Sequence, residues 1–185
     1  MAHSYSSCLM HYVFSTKNRR KTIAPELRER LWAYLGGIAR ENHMKALAVG
    51  GTDDHVHILV SLPATVSVSK AIQLIKGGSS KWIHETFPFH ADFALQEGYG
   101  AFSIGISGVK NTTRYVDAQE EHHRTKTFEE EYLAFLKKHD IEYDERYVWG
   151  WDSIVPTGLP PGLTRLPGDE SPGYSHLSLR DSGRT

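Results

Sequence analysis

An α+β domain, with a ferredoxin-like (RRM-like) antiparallel sheet, helices on one face and additional C-terminal helices, is what the sequence predicts. Two observations carry that prediction. Short β-branched and aromatic runs alternate with amphipathic segments of helical period, and they follow in the order strand, helix, strand, strand, helix, strand, which is the split β-α-β arrangement. The chain has 185 residues, 39% of them apolar, enough for one ordinary domain with a real core.

"SSCLMHYVFST" (6–16) is the first strand and ends in a basic turn, "KNRRK". "APELRERLWAYLGGIARENH" has Pro25 where a first helical turn tolerates it, and Leu27, Leu31, Leu35 and Ile38 recur at helical spacing, with Gly36 and Gly37 as its weak point. "MKALAVGG" and "HVHILVSL" are the second and third strands, joined as a hairpin through "GGTDD", and Pro63 ends the third. "SVSKAIQLIKGGSSKWIHETFP" puts Val68, Ile72 and Ile75 on one helical face and closes at Pro88. "GYGAFSIG" (98–105) is the fourth strand. Beyond the minimal fold, one helix is expected from about Gly108 to His123. Another lies in "FEEEYLAFLKKH", with Phe128, Tyr132, Phe135 and Leu136 aligned.

Composition narrows the function classes. No run of about 18 apolar residues appears, so no membrane span is expected, and the N-terminus does not read as a signal peptide. The expected location is the cytoplasm. Cys8 is the only cysteine, which excludes an internal disulfide and a Cys-rich zinc site; it reads as a buried strand residue. Residues 1–119 carry 13 Lys+Arg against 9 Asp+Glu, while 120–145 carry 4 against 9. That excess is too small for strong indiscriminate binding to duplex DNA, so nucleic-acid binding would need a specific site. The last 35 residues hold five Pro, five Gly and five Ser without periodicity; residues 151–185 are expected to be a disordered tail behind a domain at 1–150.

The third strand carries the chemistry. Side chains alternate across a strand, so His55, His57, Leu59 and Ser61 share one face and Val56, Ile58, Val60 and Leu62 the other. The apolar face belongs to the core, which leaves the histidines on an open face. There they can converge on one metal or phosphate, or stand as two surface histidines. In "NTTRYVDAQEEHH", Asn111, Tyr115, Gln119 and His122 follow one another at helical spacing. A tyrosine hydroxyl can be a nucleophile and a glutamine carbonyl can bind a hard cation.

"HVH" on a strand, "KGGSSKW" after it, "GYGAFSIG", and Tyr-x-x-x-Gln as "YVDAQ" on a late helix together resemble the single-tyrosine HUH (His-hydrophobic-His) transposases of IS200-like insertion sequences, which move as single-stranded DNA. The resemblance covers roughly residues 5–149. It implies a divalent metal, Mg²⁺ or Mn²⁺, held by His55, His57 and Gln119, with Tyr115 as nucleophile. It also implies hairpin-bearing single-stranded DNA as partner and a homodimer whose active sites can be shared between chains.

Around this set, Asp53 and Asp54 either help the metal or orient His55, or simply form the hairpin turn. His122 and His123 compete with Gln119 as ligands. Lys17, Arg19, Arg20 and Lys21, and Lys70, Lys76 and Lys81, are candidates for backbone phosphates, while Ser79 and Ser80 either add hydroxyl contacts or end the helix. Three rival functions share some of these features. A metal hydrolase in a (β/α)₈ barrel needs a longer chain. A chromosomal hairpin-processing nuclease keeps the chemistry and differs in genomic context. A non-catalytic single-strand binder calls for stacking rings on the open sheet face, where the third strand offers His, His, Leu and Ser.

Overall fold

The computed structural model describes residues 5–144 and 148–149. The expected tail, and with it the expected domain limit at residue 150, lies outside the described residues. β1 (Cys8–Ser15), α1 (Pro25–Glu41), β2 (Lys45–Gly51), β3 (His55–Leu62), α2 (Val68–Thr86) and β4 (Gly100–Ser103) follow in the expected order, and then come α3 (Val109–Asp117), α4 (Gln119–His122) and α5 (Phe128–Lys138). The strands form one antiparallel sheet in the order β2-β3-β1-β4, the ferredoxin-like order.

One layer is built as the periodicities require. α1 buries Leu27, Leu31, Leu35 and Ile38. α2, capped by the Ser67 hydroxyl, which accepts from the Lys70 N–H at 3.1 Å, buries Ala71, Ile72, Ile75 and Ile83. Opposite them stand Met10, Tyr12 and Phe14 of β1 and Val56, Ile58, Val60 and Leu62 of β3. Each large aliphatic side chain removed from water contributes about 1.5–3 kcal/mol, so this cluster is the main anchor of the sheet. Gly36 and Gly37 do not break α1, because the leucines packed on either side hold it against the sheet.

The other sheet face, expected to be open around the histidines, is covered by the additional C-terminal helices. Val13 and Phe102 pack with Phe128 and Leu136 of α5, and Ala48 and Leu59 pack with Val116 of α3. The apolar stripes of those helices need cover, and Val13 and Leu59, alternating with polar residues, supply it. β1 and β3 are therefore buried on both faces. The helix expected over 108–123 is also broken: α3 ends at Asp117, Ala118 turns out of helical geometry (φ −99°, ψ 19°), and α4 restarts at Gln119. β4 spans four residues, fewer than the expected 98–105. Cys8 is half-buried rather than buried.

Two glycines set the site's foundations. Gly51, at φ 150°, leads into the hairpin turn, where a Cβ would run into the His55 carbonyl. Gly50, paired with His57 across the β2–β3 ladder, lets the Val116 carbonyl of α3 approach so closely that a Cβ has no room.

Candidate metal and nucleophile site

His55 and His57 are 1% and 0% exposed, and each ring is fixed by its Nδ1. The His55 Nδ1 lies 2.7 Å from Asp54 Oδ1 and 2.9 Å from the Thr52 hydroxyl; an ionised carboxylate only accepts, so this nitrogen donates to it. Asp54 Oδ2 accepts from Arg19 at 2.6 Å. Burial works against ionising Asp54, yet the hydrogen bonds and charges of His55 and Arg19 hold it well below the usual carboxylate range. Asp54 thus sits in the turn and also holds the His55 ring. His57 Nδ1 lies 3.0 Å from Nε2 of His11, a β1 residue diagonal to it across the ladder.

With both Nδ1 atoms engaged, the Nε2 atoms are left for the site. Gln119 Oε1 lies 3.1 Å from His55 Nε2 and 3.2 Å from His123 Nε2, and its amide donates to Glu131 Oε1 at 3.2 Å. Glu131 Oε2 lies 3.3 Å from His57 Nε2 and 3.4 Å from His123 Nε2. Although close, Glu131 Oε2 and His57 Nε2 are not aligned for a hydrogen bond, and both are buried without a partner. Burial, then the surrounding imidazoles, holds His57 well below its ordinary value, and burial pushes His123 down to about 4. Burial and Asp54 push Glu131 up to about 8.

One ligand atom each from His55, His57, His123 and Glu131 lies within 4.8 Å of every other. Imidazole nitrogens and a carboxyl oxygen with unpaired lone pairs suit a divalent cation of the first transition row, or Mg²⁺ less closely. The donor set therefore fits a divalent metal.

Tyr115 completes the cluster. Its ring meets those of His57 at 5.8 Å, His122 at 5.1 Å and Phe135 at 5.8 Å between centroids. Its hydroxyl and the Nε2 of His122 are also buried and unpaired. Gln119 binds back to the Tyr115 carbonyl at 3.4 Å, so the turn from α3 into α4 keeps the two residues together despite the break at Ala118.

His55, His57, Tyr115, Gln119, His122 and His123 therefore come together, whereas Asp53 turns away to pair with Lys21 at 3.2 Å. The basic candidates are dispersed. Arg19 joins Asp54 and Glu129, Arg20 pairs with Asp92 at 2.8 Å, and Lys81 lies 3.8 Å from Glu85. The Lys70 ammonium donates to Gln73 at 3.2 Å. Lys76 donates to the carbonyls of Gln96, Glu97 and Gly98 at 2.5–3.0 Å, which tethers the loop before β4. Lys17 makes no ion pair among the described residues. Ser79 is buried and donates to the Lys76 carbonyl at 3.0 Å.

Sequence reasoning missed Glu131 and His11. His11 carries a signal, since it interrupts the apolar run of β1, whereas Glu131, at i+3 from Phe128, is masked by the run of glutamates that starts α5.

The family model described as "Transposase IS200 like" matches residues 4–119. The chain belongs to the IS200-like transposase family. The transposases for insertion sequence element IS200 of Salmonella typhimurium and Salmonella typhi are each 31% identical to it over 87 residues, 47% of this chain and 57% of theirs. This IS200-like chain thus spans a little over half the length of those curated relatives. Among solved structures, one from Deinococcus radiodurans assigned as a transposase matches with a TM-score of 0.52 at 19% identity, covering 64% of this chain and 96% of that one. A REP-associated tyrosine transposase bound to a REP hairpin matches with a TM-score of 0.50 at 14% identity, covering 66% and 73%. At those identities the likeness is one of fold. The family match ends at Gln119, so His122, His123 and Glu131 lie beyond it. Among the described residues no helix is long and apolar enough to cross a membrane.

Proposed function

We propose that this IS200-like transposase cuts and rejoins single-stranded DNA at hairpin-marked element ends in the cytoplasm, with Tyr115 as nucleophile. A divalent metal, Mg²⁺ or Mn²⁺, would be held by His55, His57 and Gln119, joined by Glu131 and His123. The observation that carries the reading is the convergence of three buried, unpaired atoms in one cluster: Tyr115 Oη, His57 Nε2 and Glu131 Oε2. When bound, the metal supplies Lewis-acid stabilisation of charge developing on the phosphate.

The chain's own residues do the rest. A phenol with a pKa of about 10 is a weak nucleophile, so position must compensate. Val116 on the sheet and Gln119 bonded to the Tyr115 carbonyl fix that position. The Tyr115 hydroxyl gives up its proton and its oxygen bonds to phosphorus. The bond from phosphorus to O3′ breaks, which leaves a 5′-phosphotyrosine and a 3′-hydroxyl that takes up a proton. One phosphodiester replaces another, so attack by a different strand's 3′-hydroxyl reverses the step, restores Tyr115 and joins DNA without ATP. Asp54 and His11 orient the two motif imidazoles.

The hairpin bound by the solved REP-associated neighbour supports a hairpin-bearing strand as substrate. Tyr115 and His57 meet here within one chain, so a homodimer, with or without exchanged tyrosines, is a separate part of the proposal. Sedimentation with and without DNA tests it, and a fully active monomer would remove it.

The main test incubates the protein with Mn²⁺ and single strands from the DNA flanking its gene, followed by denaturing electrophoresis and mass spectrometry. A covalent adduct on Tyr115 is expected. Binding without any adduct would favour a binding-only protein.

A further inference from the structure

We propose that the cavity beside Tyr115, on the side away from His55, is the subsite for one nucleotide of the strand at the cut, with Lys126 and Lys138 holding its flanking phosphates. This rests on the reading of Tyr115 as the nucleophile. Two cavities adjoin the buried cluster. The larger, about 550 Å³, touches His55 and His123 but not Tyr115. Its four carboxylates, Asp53, Asp54, Glu120 and Glu129, pair with Lys21, Arg19 and Arg28, so its charges are largely matched within the protein.

The smaller, about 300 Å³, is lined by Tyr115, His122 and Glu131 together. A strand entering there lies against the Tyr115 side chain and against Glu131, one of the metal-ligand group. Its volume sits at the lower end of the roughly 300–1,000 Å³ of small-ligand sites, room for one nucleotide and not for a paired stem. Its wall supplies what a nucleotide requires: Phe135 and Ile104 as apolar surface for a base, and Asn111 and Thr112 as polar groups for its edge. Lys138 lines this cavity alone and Lys126 lines both cavities; among the described residues, their ammonium groups pair with no carboxylate. That sets them apart from most of the cations singled out in the sequence, which are engaged within the fold. Among the described residues Glu131 is the sole carboxylate lining this cavity, and it belongs to the metal-ligand group.

The test uses the full chain with Mn²⁺ and a 5′-fluorescent single strand copied from the DNA flanking its gene. Anisotropy titrations at several salt concentrations are read beside adduct yield. Lys126→Gln with Lys138→Gln should weaken binding on the order of tenfold and flatten the salt slope by about 1.4, roughly 0.7 for each single-strand phosphate that is no longer neutralised. Ala134→Trp, at an exposed position on the cavity lip, should cut adduct yield while circular dichroism stays unchanged. Arg124→Gln, on the other cavity, should leave both readings at wild-type levels.

Wild-type affinity, slope and adduct yield in both the lysine and the Ala134 variants would overturn the subsite. So would an equal loss in Arg124→Gln, which would mean diffuse attraction. If the wild-type protein neither binds the strand nor forms an adduct, the proposed function itself fails, and the subsite with it.

Discussion

Replacing Tyr115 by phenylalanine should separate function from stability in a direction opposite to most active-centre losses. The Tyr115 hydroxyl is buried and has no hydrogen-bond partner. Leaving such a group unpaired costs about 1–3 kcal/mol; since the residue as a whole is half-buried, the lower end applies, about 1 kcal/mol. Phenylalanine keeps the ring contacts with His57, His122 and Phe135 and removes only the oxygen. The metal-free variant should therefore be as stable as the wild type or gain up to about 1 kcal/mol, a rise in Tm of about 2–4 °C for a domain of this size. Covalent adduct should vanish while strand binding stays near wild type. Thermal melts in EDTA, paired with denaturing gels in Mn²⁺, read both effects. A Tm lowered by several degrees would mean that the hydroxyl has a partner in solution and that the reasoning from its isolation is wrong. An adduct surviving the change would move the nucleophile elsewhere, with Tyr99 and Tyr132 next to test.

Three further outcomes are expected. Glu131→Gln, which keeps shape and removes charge, should lower Mn²⁺ affinity by at least about tenfold in calorimetric titration and shrink the rise in Tm that Mn²⁺ gives the wild type; an unchanged affinity would take Glu131 out of the ligand set. Asp54→Asn should lower metal affinity by about 10–100-fold by freeing the His55 ring, and equal affinity would reduce Asp54 to a turn residue. Gly50→Ala puts a methyl group against the Val116 carbonyl, so it should cost about 1–3 kcal/mol in a denaturant titration and depress adduct yield as α3 lifts from β2. Normal stability and yield together would show that α3 does not depend on that approach.

The strands and helices of the first 105 residues were legible because each advertises its period. The leucine spacing of α1 and the alternation in β3 leave little choice, and their observed limits fall within a residue or two of the expected ones. The destination of the later helices was not legible. The stripe of Phe128 and Leu136 says that α5 must pack somewhere, but only the assembled sheet offers Val13 and Phe102 as the surface. The same gap hid the burial of His55 and His57, which look solvent-facing in a sheet with one covered face. The two histidines, Tyr115 and Gln119 were readable from spacing and resemblance. Glu131 was not, because it sits in a run of three glutamates that the helix start explains by itself: Thr127 and Glu130 form a capping box there. In the basic turn, charge alone does not reveal that Arg19 is held by Asp54 and Glu129.

The distribution of unpaired polar atoms argues independently of any family that the cluster is built to take a ligand. Among the described residues, five buried side-chain nitrogens or oxygens lack a hydrogen-bond partner, and four of them, on His57, Tyr115, His122 and Glu131, belong to this one site. At about 1–3 kcal/mol each, they remove several kcal/mol from a domain whose whole stability is of the order of 5–15 kcal/mol. The fifth, on Arg19, belongs to a side chain already holding Asp54 and through it His55. A chain shaped for stability alone would fill such a space with leucine and phenylalanine, as it does a few ångströms away where Phe102, Phe128 and Leu136 meet. Lone pairs on His57 and Glu131 are satisfied by a cation. A hydroxyl on Tyr115 and an imidazole nitrogen on His122, on residues that line one cavity with Lys126 and Lys138, suit a phosphate. The cost is concentrated where both ligands would meet, and that concentration is what a stability argument by itself cannot produce.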